Sequence, residues 1–200
     1  PLSRLANKQD GCKGTFFEGR FKSIALLDEQ SLLTVCAYID LNPLAAGLAA
    51  TPESSEHTSI KERVDHVVRS QRVEDLRAAL LGSVAARAAS SKLEEGLWLV
   101  PIEDRRGIDS QREGMLGGVT LGSYVLLVEQ IGRSMREGKA SISSELDDIF
   151  TRLGTTAQQW QSRLAKLTQG RLFGSFMAST REMLRSIAAR RRLRHVVGVG

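Results

Sequence analysis

The segment FFEGRFKSIALLDEQSLLTVCAYIDLNPLAAGL (residues 16–48) sets the fold of the first part of the chain. Apolar and charged side chains alternate over residues 15–26, and this period of two predicts a β-strand. Asp28 follows at a position typical of a helix N-cap, so the pattern changes there from strand to helix. The segment therefore predicts a strand–helix unit, and we expect this unit to extend to about residue 60.

The predicted helix carries one apolar stripe and a tyrosine outside it. Helical spacing places four apolar side chains on the stripe: Leu32, Val35, Cys36 and Ile39. Tyr38 falls instead on the face of Ser31 and Thr34, so we expect its phenol to point away from the core. We expect the helix to end near Asp40, because Pro43 disfavours helical geometry at the residue before it.

Downstream of this unit the sequence predicts mainly helices. We divide the chain into three parts: the strand–helix unit of residues 1–60, the charged helix and linker of residues 61–92, and a helical, basic-ended region of residues 93–200. The run GLWLVPIED (residues 96–104) predicts a strand or a loop anchored by Trp98. Residues 144–153 and 156–167 have the lengths of a helix-turn-helix pair around Gly154.

Composition excludes several classes of protein. The chain has 200 residues, of which 42% are apolar, and this is ordinary for a globular core. It contains no run of eighteen apolar residues, so we expect no membrane partner. Two cysteines, Cys12 and Cys36, are too few for a disulfide framework and lack the spacing of a metal site, which indicates a reducing cytoplasm.

The positive charge of the chain is concentrated near its C-terminal end. The net charge is +5, and residues 171–200 hold seven arginines and one glutamate. Such an excess is typical of a surface that binds a polyanion, and it also complements the dipole of a final helix. Both interpretations fit the sequence, and contacts with a polyanion would make binding sensitive to salt.

Tyr38 has two interpretations from physical chemistry alone. A tyrosine at a helix end commonly packs half-buried, with its hydroxyl bonded to the backbone. Alternatively it is a nucleophile, which requires a phosphate polarised by a cation and a phenol held in line. Asn42 lies one helical turn further on and offers an amide oxygen to a metal. Arg20 and Lys22 on the preceding strand are placed to meet phosphates.

Two stretches of the chain carry a family resemblance. GTFFEGRFKS (residues 14–23) and LLTVCAYIDLNPLAAGL (residues 32–48) resemble the C-terminal half of the catalytic domain of the single-tyrosine transposases. Within that family the chain is most similar to the bacterial group related to the REP-associated tyrosine transposases, and TPESSEHTSI (residues 51–60) continues the match. The matching region, residues 11–62, is about a quarter of the chain.

The resemblance implies a fold and an activity. The fold is α+β: a partial ferredoxin-like domain, consisting of a strand and the nucleophile helix, followed by a mainly α-helical region. By motif position Tyr38 is the nucleophile that attacks a phosphate of single-stranded DNA, which gives a 5′-phosphotyrosyl link and a free 3′-OH. Asn42 is the candidate third ligand of a divalent cation, Mg²⁺ or Mn²⁺. The implied partners are DNA, single-stranded or with hairpin ends, and a second copy of the chain in a homodimer.

The chain departs from the family pattern at the metal site. The family holds its cation with a His-hydrophobic-His pair, whereas the three histidines here are isolated: His57, His66 and His195. Ala45 stands where the family has an arginine that contacts phosphate. The histidine pair of the family lies upstream of the matching segment, so we expect it to precede Pro1 in a longer product. We therefore expect this chain to be truncated and impaired in cleavage.

One function is preferred and two alternatives stay open. We predict a transposase-family protein of the bacterial cytoplasm, associated with the nucleoid, that cleaves and rejoins DNA. The alternatives are a non-catalytic DNA-binding protein and the relic of a transposase gene. In the first two cases the DNA contacts are predicted to come from seven basic residues: Arg20, Lys22, Arg185, Arg190, Arg191, Arg192 and Arg194.

Overall fold

The computed structural model describes residues 2–13, 24–80, 92–104, 113–137, 147–168 and 176–177. These residues form seven α-helices, one 3₁₀ helix and four two-residue strands. The helices are α1 (Leu2–Gln9), α2 (Glu29–Ala45), the 3₁₀ helix (Pro52–Ser54), α3 (Ser59–Arg69), α4 (Val73–Leu80), α5 (Leu121–Glu137), α6 (Asp147–Arg152) and α7 (Ala157–Thr168). The strands are β1 (Ala25–Leu26), β2 (Glu103–Asp104), β3 (Leu116–Gly117) and β4 (Phe176–Met177).

The strands form two short parallel pairs. β1 pairs with β4, with Ala25 opposite Phe176, and β2 pairs with β3, with Glu103 opposite Leu116. The described residues are therefore mainly helical with small parallel sheets, which fits the α+β prediction in its coarse form. Most of the strand predicted over residues 15–26 lies outside the described ranges, and β1 is its described end.

α2 begins where the sequence predicts but ends later. Asp28 is the N-cap, because its Oδ1 accepts a hydrogen bond of 2.7 Å from the backbone N–H of Ser31. The helix continues through Pro43 to Ala45, so the predicted end near Asp40 is wrong. Local geometry at a proline is therefore not what ends this helix.

Packing against α5 stabilises the last turn of α2. Leu41 and Leu44 lie over Gly132 of α5, where an added Cβ would come within 3.4 Å and 2.9 Å of their Cδ2 atoms, respectively. The absence of a side chain at Gly132 lets the two helices approach closely. Pro43 removes one hydrogen bond from the helix, to the carbonyl of Ile39, and the burial of apolar surface against α5 offsets that loss.

The face that α2 buries differs from the predicted apolar stripe. Leu33, Ala37 and Leu41 are its buried apolar residues, whereas Ile39 of the predicted stripe is 55% exposed. Thr34, on the face expected to point outward, is buried, and its hydroxyl is satisfied by donating at 2.6 Å to the carbonyl four residues earlier. α2 is apolar around most of its circumference, so its neighbours α5 and α7 select the buried face.

The α6–α7 pair lies where the sequence predicts two helices around Gly154, and residues 144–146 of the first predicted helix are outside the described ranges. Gly154 follows α6 in the left-handed region, with φ of +67°, and so ends the helix. The hydroxyl of Thr156 accepts a hydrogen bond of 3.2 Å from the backbone N–H of Gln159, which caps α7. Trp160 of α7 is buried, with its ring centroid 5.8 Å from that of Phe150. The apolar face of α7 is therefore part of the core.

The loop over residues 96–104 is anchored by residues other than the predicted one. Leu97 and Ile102 are buried, and Ile102 belongs to the main core. Trp98 is 75% exposed, so the prediction of a loop anchored by this residue is wrong. Leu97 and Ile102 are thus the buried apolar side chains that anchor the loop, while the indole of Trp98 faces solvent.

One main hydrophobic core joins helices α2 to α7. It contains residues from all three predicted parts of the chain, among them Leu33, Val67 and Leu127. Helices therefore contact one another across the predicted boundaries at residues 60 and 92, and the boundaries themselves stay predictions. Within the described ranges, no helix has the length and apolar character needed to cross a membrane.

Candidate functional site

Tyr38 lies on the second half of α2 and is half-buried. Its side chain packs both against the main core and against a small cluster formed by Leu26, Val35, Leu167 and Met177. No hydrogen bond joins its hydroxyl to another residue of the described ranges. The ring is thus held by apolar packing, while the polar end of the side chain has no described partner.

Tyr38 and Asn42 share one small pocket. The rest of the pocket is lined by apolar side chains: Leu41, Ala45, Met135 and Leu164. Its volume of about 10 Å³ has room for one water molecule and nothing larger. Asn42 is exposed to solvent beside this pocket. Tyr38 and Asn42 lie one turn apart on α2, as helical spacing requires, and the surface of the pocket beside them is apolar.

A buried carboxylate lies between these two residues in the sequence. Asp40 is fully buried within α2. Its oxygens accept hydrogen bonds from three groups: the Ser59 hydroxyl at 2.9 Å, the Ile60 backbone N–H at 3.1 Å and the Tyr124 hydroxyl at 2.5 Å. Ser59 and Ile60 begin α3, so the carboxylate also compensates unpaired N–H groups at that helix start. Asp40 therefore fixes α2, α3 and α5 relative to one another.

Tyr124, the second tyrosine of the chain, is a buried hydrogen-bond donor. Burial raises the pKa of its phenol well above the ordinary value, and the charge of Asp40 acts in the same direction. A phenol that stays protonated and has no access to solvent cannot attack a DNA phosphate. The chain has two tyrosines, and Tyr38 is the one that is partly exposed.

Cys36 on α2 is also unsuited to nucleophilic attack. Burial, and after it the nearby charge of Asp40, raise the pKa of its thiol from 9.0 to about 11. The thiolate is the reactive form of cysteine, and this shift keeps the thiol protonated at neutral pH. Cys36 is therefore not a reactive thiol at neutral pH.

The described residues do not form the cation site that the resemblance implies. His66 Nε2 lies 3.0 Å from the backbone carbonyl of Glu95, and Glu62 pairs with Arg69 at 2.8 Å. In the described ranges, no group of three His, Cys, Asp or Glu side chains is arranged to hold a metal ion. Asn42 alone does not make a site for Mg²⁺ or Mn²⁺, which prefer several oxygen ligands.

The basic residues predicted to bind DNA lie outside the described ranges. They are Arg20 and Lys22 before β1, and Arg185, Arg190, Arg191, Arg192 and Arg194 near the C-terminal end. Their roles stay predictions. Within the described α7, Arg163 donates to the side-chain oxygen of Gln30 on α2. Because this arginine links α7 to α2, its guanidinium group is already engaged and is not available to contact a DNA base.

A buried charge pair holds the loop that carries Trp98. Arg63 of α3 is 2% exposed and pairs with Glu94, and its Nη2 donates to the carbonyl of Val100 at 2.7 Å. Glu94 also accepts a hydrogen bond of 2.9 Å from the backbone N–H of Ile102. Burial raises the pKa of Glu94, and the charge of Arg63 opposes that shift. The loop is thus attached to α3 on both sides of Trp98.

Sequence reasoning missed Asp40, Arg63 and Glu94. A single carboxylate inside an otherwise apolar helix is the signal that points to Asp40, because a charge is rarely buried without partners. Arg63 and Glu94 give no such signal, because 31 positions of chain separate them and both residue types are usual on a surface.

Comparisons with models of protein families, with curated proteins and with solved structures gave no significant match. Function must therefore be inferred from the motif and from the geometry of its residues. Three features bear on it: a half-buried Tyr38, an exposed Asn42 in the same pocket, and a buried Asp40 that fixes the helix between them.

Proposed function

We propose that this chain is a member of the single-tyrosine transposases and that Tyr38 is its nucleophile. The observation that carries the proposal is the exposure of Tyr38: it is the partly exposed tyrosine, and the exposed Asn42 of the same motif lies one helical turn further along α2. The proposed substrate is DNA, single-stranded or with hairpin ends. Residues 1–60 are then the end of a ferredoxin-like domain, and the chain acts as a homodimer.

The proposed reaction exchanges one phosphoester for another without a redox change. The phenol oxygen of Tyr38 attacks the phosphorus of a DNA phosphodiester, and the phenol proton goes to solvent. A bond forms between this oxygen and phosphorus, while the bond from phosphorus to the 3′ oxygen breaks. The 3′ oxygen takes up a proton and leaves as a 3′-OH, so the 5′ end stays linked to Tyr38. Attack by another 3′-OH reverses the step and joins strands.

The surroundings of Tyr38 suit a nucleophile that must be aimed. An in-line displacement loses rate steeply when the attacking atom is misplaced by about 1 Å. α2 is a rigid mount, and the hydrogen bonds of Asp40 to α3 and α5 hold it from the far side. Apolar packing restrains the ring of Tyr38 and leaves its hydroxyl free of other described partners.

Cleavage of an end-labelled single-stranded oligonucleotide tests the proposal. We expect a slow reaction, because the described residues do not form the family's cation site. Tyr38→Phe removes the attacking oxygen and should abolish cleavage. Tyr124→Phe removes the buried phenol and its bond to Asp40, so it is the comparison that should slow cleavage without abolishing it. Equal cleavage by the wild type and Tyr38→Phe would contradict the proposal.

A second candidate function is DNA binding without catalysis. Two observations favour it: the described ranges hold no metal-binding cluster, and residues 171–200 carry seven arginines against one glutamate. Deletion of residues 181–200 separates the two functions, since it removes most of these arginines and leaves Tyr38 in place. If DNA binding alone is the function, this deletion abolishes binding and its salt dependence, and Tyr38→Phe changes neither.

A further inference from the structure

A cavity of about 730 Å³ lies beside the start of α3 and shares no residue with the Tyr38 pocket. One wall is formed by residues 56–59 and the first turns of α3, and the other by Trp98 and Leu99. The volume lies in the range of about 300–1,000 Å³ that is typical of binding pockets. An indole that is 75% exposed at such a cavity offers a flat apolar surface to a ligand.

The Trp98 wall is fixed before any ligand arrives. Arg63 pairs with Glu94 on one side of Trp98 and donates to the carbonyl of Val100 on the other. The ring of His66 makes a further hydrogen bond of 3.0 Å to the same loop. Because α3 carries both Arg63 and His66, one helix positions both walls of the cavity. A preformed wall does not have to be ordered on binding, and this favours affinity.

The polar lining of the cavity is more acidic than basic. Three carboxylates face one ammonium group: Glu56, Glu62 and Asp65 against Lys61. Lys61 already pairs with Asp65 at 2.9 Å, so its charge is compensated within the wall. Glu56 is exposed and forms no ion pair with another residue of the described ranges. Because Glu62 pairs with Arg69 at 2.8 Å, the charge left uncompensated in the lining is that of Glu56, which repels a phosphate and attracts a cation.

We propose that the cavity binds the guanidinium group of an arginine in a basic peptide segment. The planar cation stacks on the indole of Trp98, whose ring face attracts positive charge, and its N–H groups donate to Glu56. An arginine fits this site better than a lysine, because its guanidinium is flat and less strongly hydrated. The site adds a protein partner to the proposed DNA partner, and it does not depend on the role of Tyr38.

Titration of the full chain with the peptide acetyl-Gly-Arg-Gly-Arg-Gly-Arg-Gly-amide tests the proposal, with affinity measured by calorimetry and with tryptophan fluorescence as a second readout. We expect saturable binding and a change in emission, because Trp98 is exposed whereas Trp160 is buried. The same peptide with citrulline at each arginine keeps the shape and loses the charge, so it should not bind. The lysine peptide should bind more weakly than the arginine peptide.

Two variants test whether the arginine peptide binds at this cavity. Trp98→Ala removes the stacking surface and should weaken binding by on the order of tenfold. Glu56→Gln is the second variant, which keeps the shape of the side chain and should weaken binding several-fold. Both residues are exposed, so circular dichroism of the variants should match that of the wild type.

Three results would overturn the proposal. The first is unchanged affinity of the arginine peptide for folded Trp98→Ala, and the second is equal affinity of the wild type for the citrulline peptide. The third is binding of oligothymidylate that depends on Trp98 and displaces the arginine peptide, because the cavity would then be a nucleic-acid site. Loss of DNA cleavage in Tyr38→Phe has no bearing on any of these measurements.

Discussion

The two tyrosines of the chain carry the same phenol in two different environments. Tyr124 is buried against the carboxylate of Asp40, and this environment keeps its proton on. Tyr38 is partly exposed and packs only through its ring against the described residues. At the scale of single residues, solvent access therefore separates a structural phenol from the proposed nucleophile.

Removal of the Asp40 charge should destabilise the fold. Asp40→Asn keeps the shape of the side chain, but its amide NH₂ cannot accept the hydrogen bond that the Tyr124 hydroxyl donates. We expect the free energy of unfolding to fall by about 2 kcal/mol, as measured by urea denaturation. Tyr124→Phe in the Asp40→Asn background should then add little, because the bond is already lost. Wild-type stability of Asp40→Asn would show that this network does not hold the helices.

The buried thiol of Cys36 should make stability fall in alkaline solution. Its pKa is about 11 in the folded chain against an ordinary 9.0, so between these pH values the unfolded chain loses the proton and the folded chain keeps it. The unfolded state then binds fewer protons, and stability decreases as pH rises from 9.0 to about 11. Urea denaturation over this interval should show a shallower decrease for Cys36→Ala. Cys12→Ala, which removes an exposed thiol, should leave the slope unchanged.

At the scale of elements, close approach of α4 and α5 depends on Gly122. A Cβ added there would lie 2.7 Å from the Cβ of Ala79 and 3.2 Å from its carbonyl carbon, so the α4 backbone must move. We expect Gly122→Ala to lower the free energy of unfolding by about 1–3 kcal/mol. Gly132→Ala in the same helix is the control: its neighbours are leucine, leucine and proline side-chain atoms that can shift, so its effect should be smaller. Equal effects of the two substitutions would contradict this interpretation.

Local signals in the sequence predicted the starts and stops of several elements. Asp28 caps α2, Gly154 ends α6 and Thr156 caps α7, as expected, because these hydrogen bonds form within a few residues of chain. The end of α2 and its buried face were predicted wrongly, because both depend on packing against α5 and α7. The role of Tyr38 stays a prediction from its motif. Its half-buried setting was not predictable locally, because it depends on Met177, which is distant in sequence.

At the scale of the whole molecule, one core spanning the three predicted parts implies cooperative unfolding. The main core joins residues from Leu33 to Leu164, so loss of one helix exposes the apolar surface of the others. We expect one transition in thermal unfolding, followed in parallel by far-ultraviolet circular dichroism and by the fluorescence of buried Trp160. Two separated transitions would show that the parts fold independently. A chain without any cooperative transition would instead support the relic interpretation.

The most direct test of the central claim is to identify the residue that DNA becomes attached to. The chain is incubated with a single-stranded oligonucleotide, denatured, and digested with nuclease and trypsin. A nucleotide then remains attached to the tyrosine that attacked the DNA. Trypsin cleavage leaves Tyr38 in the peptide of residues 23–61 and Tyr124 in the peptide of residues 113–133. Mass spectrometry therefore distinguishes the two sites. The proposed function predicts a nucleotide adduct on Tyr38 in the peptide of residues 23–61, and none in Tyr38→Phe. An adduct on Tyr124, or cleaved DNA with no adduct on either tyrosine, would contradict it.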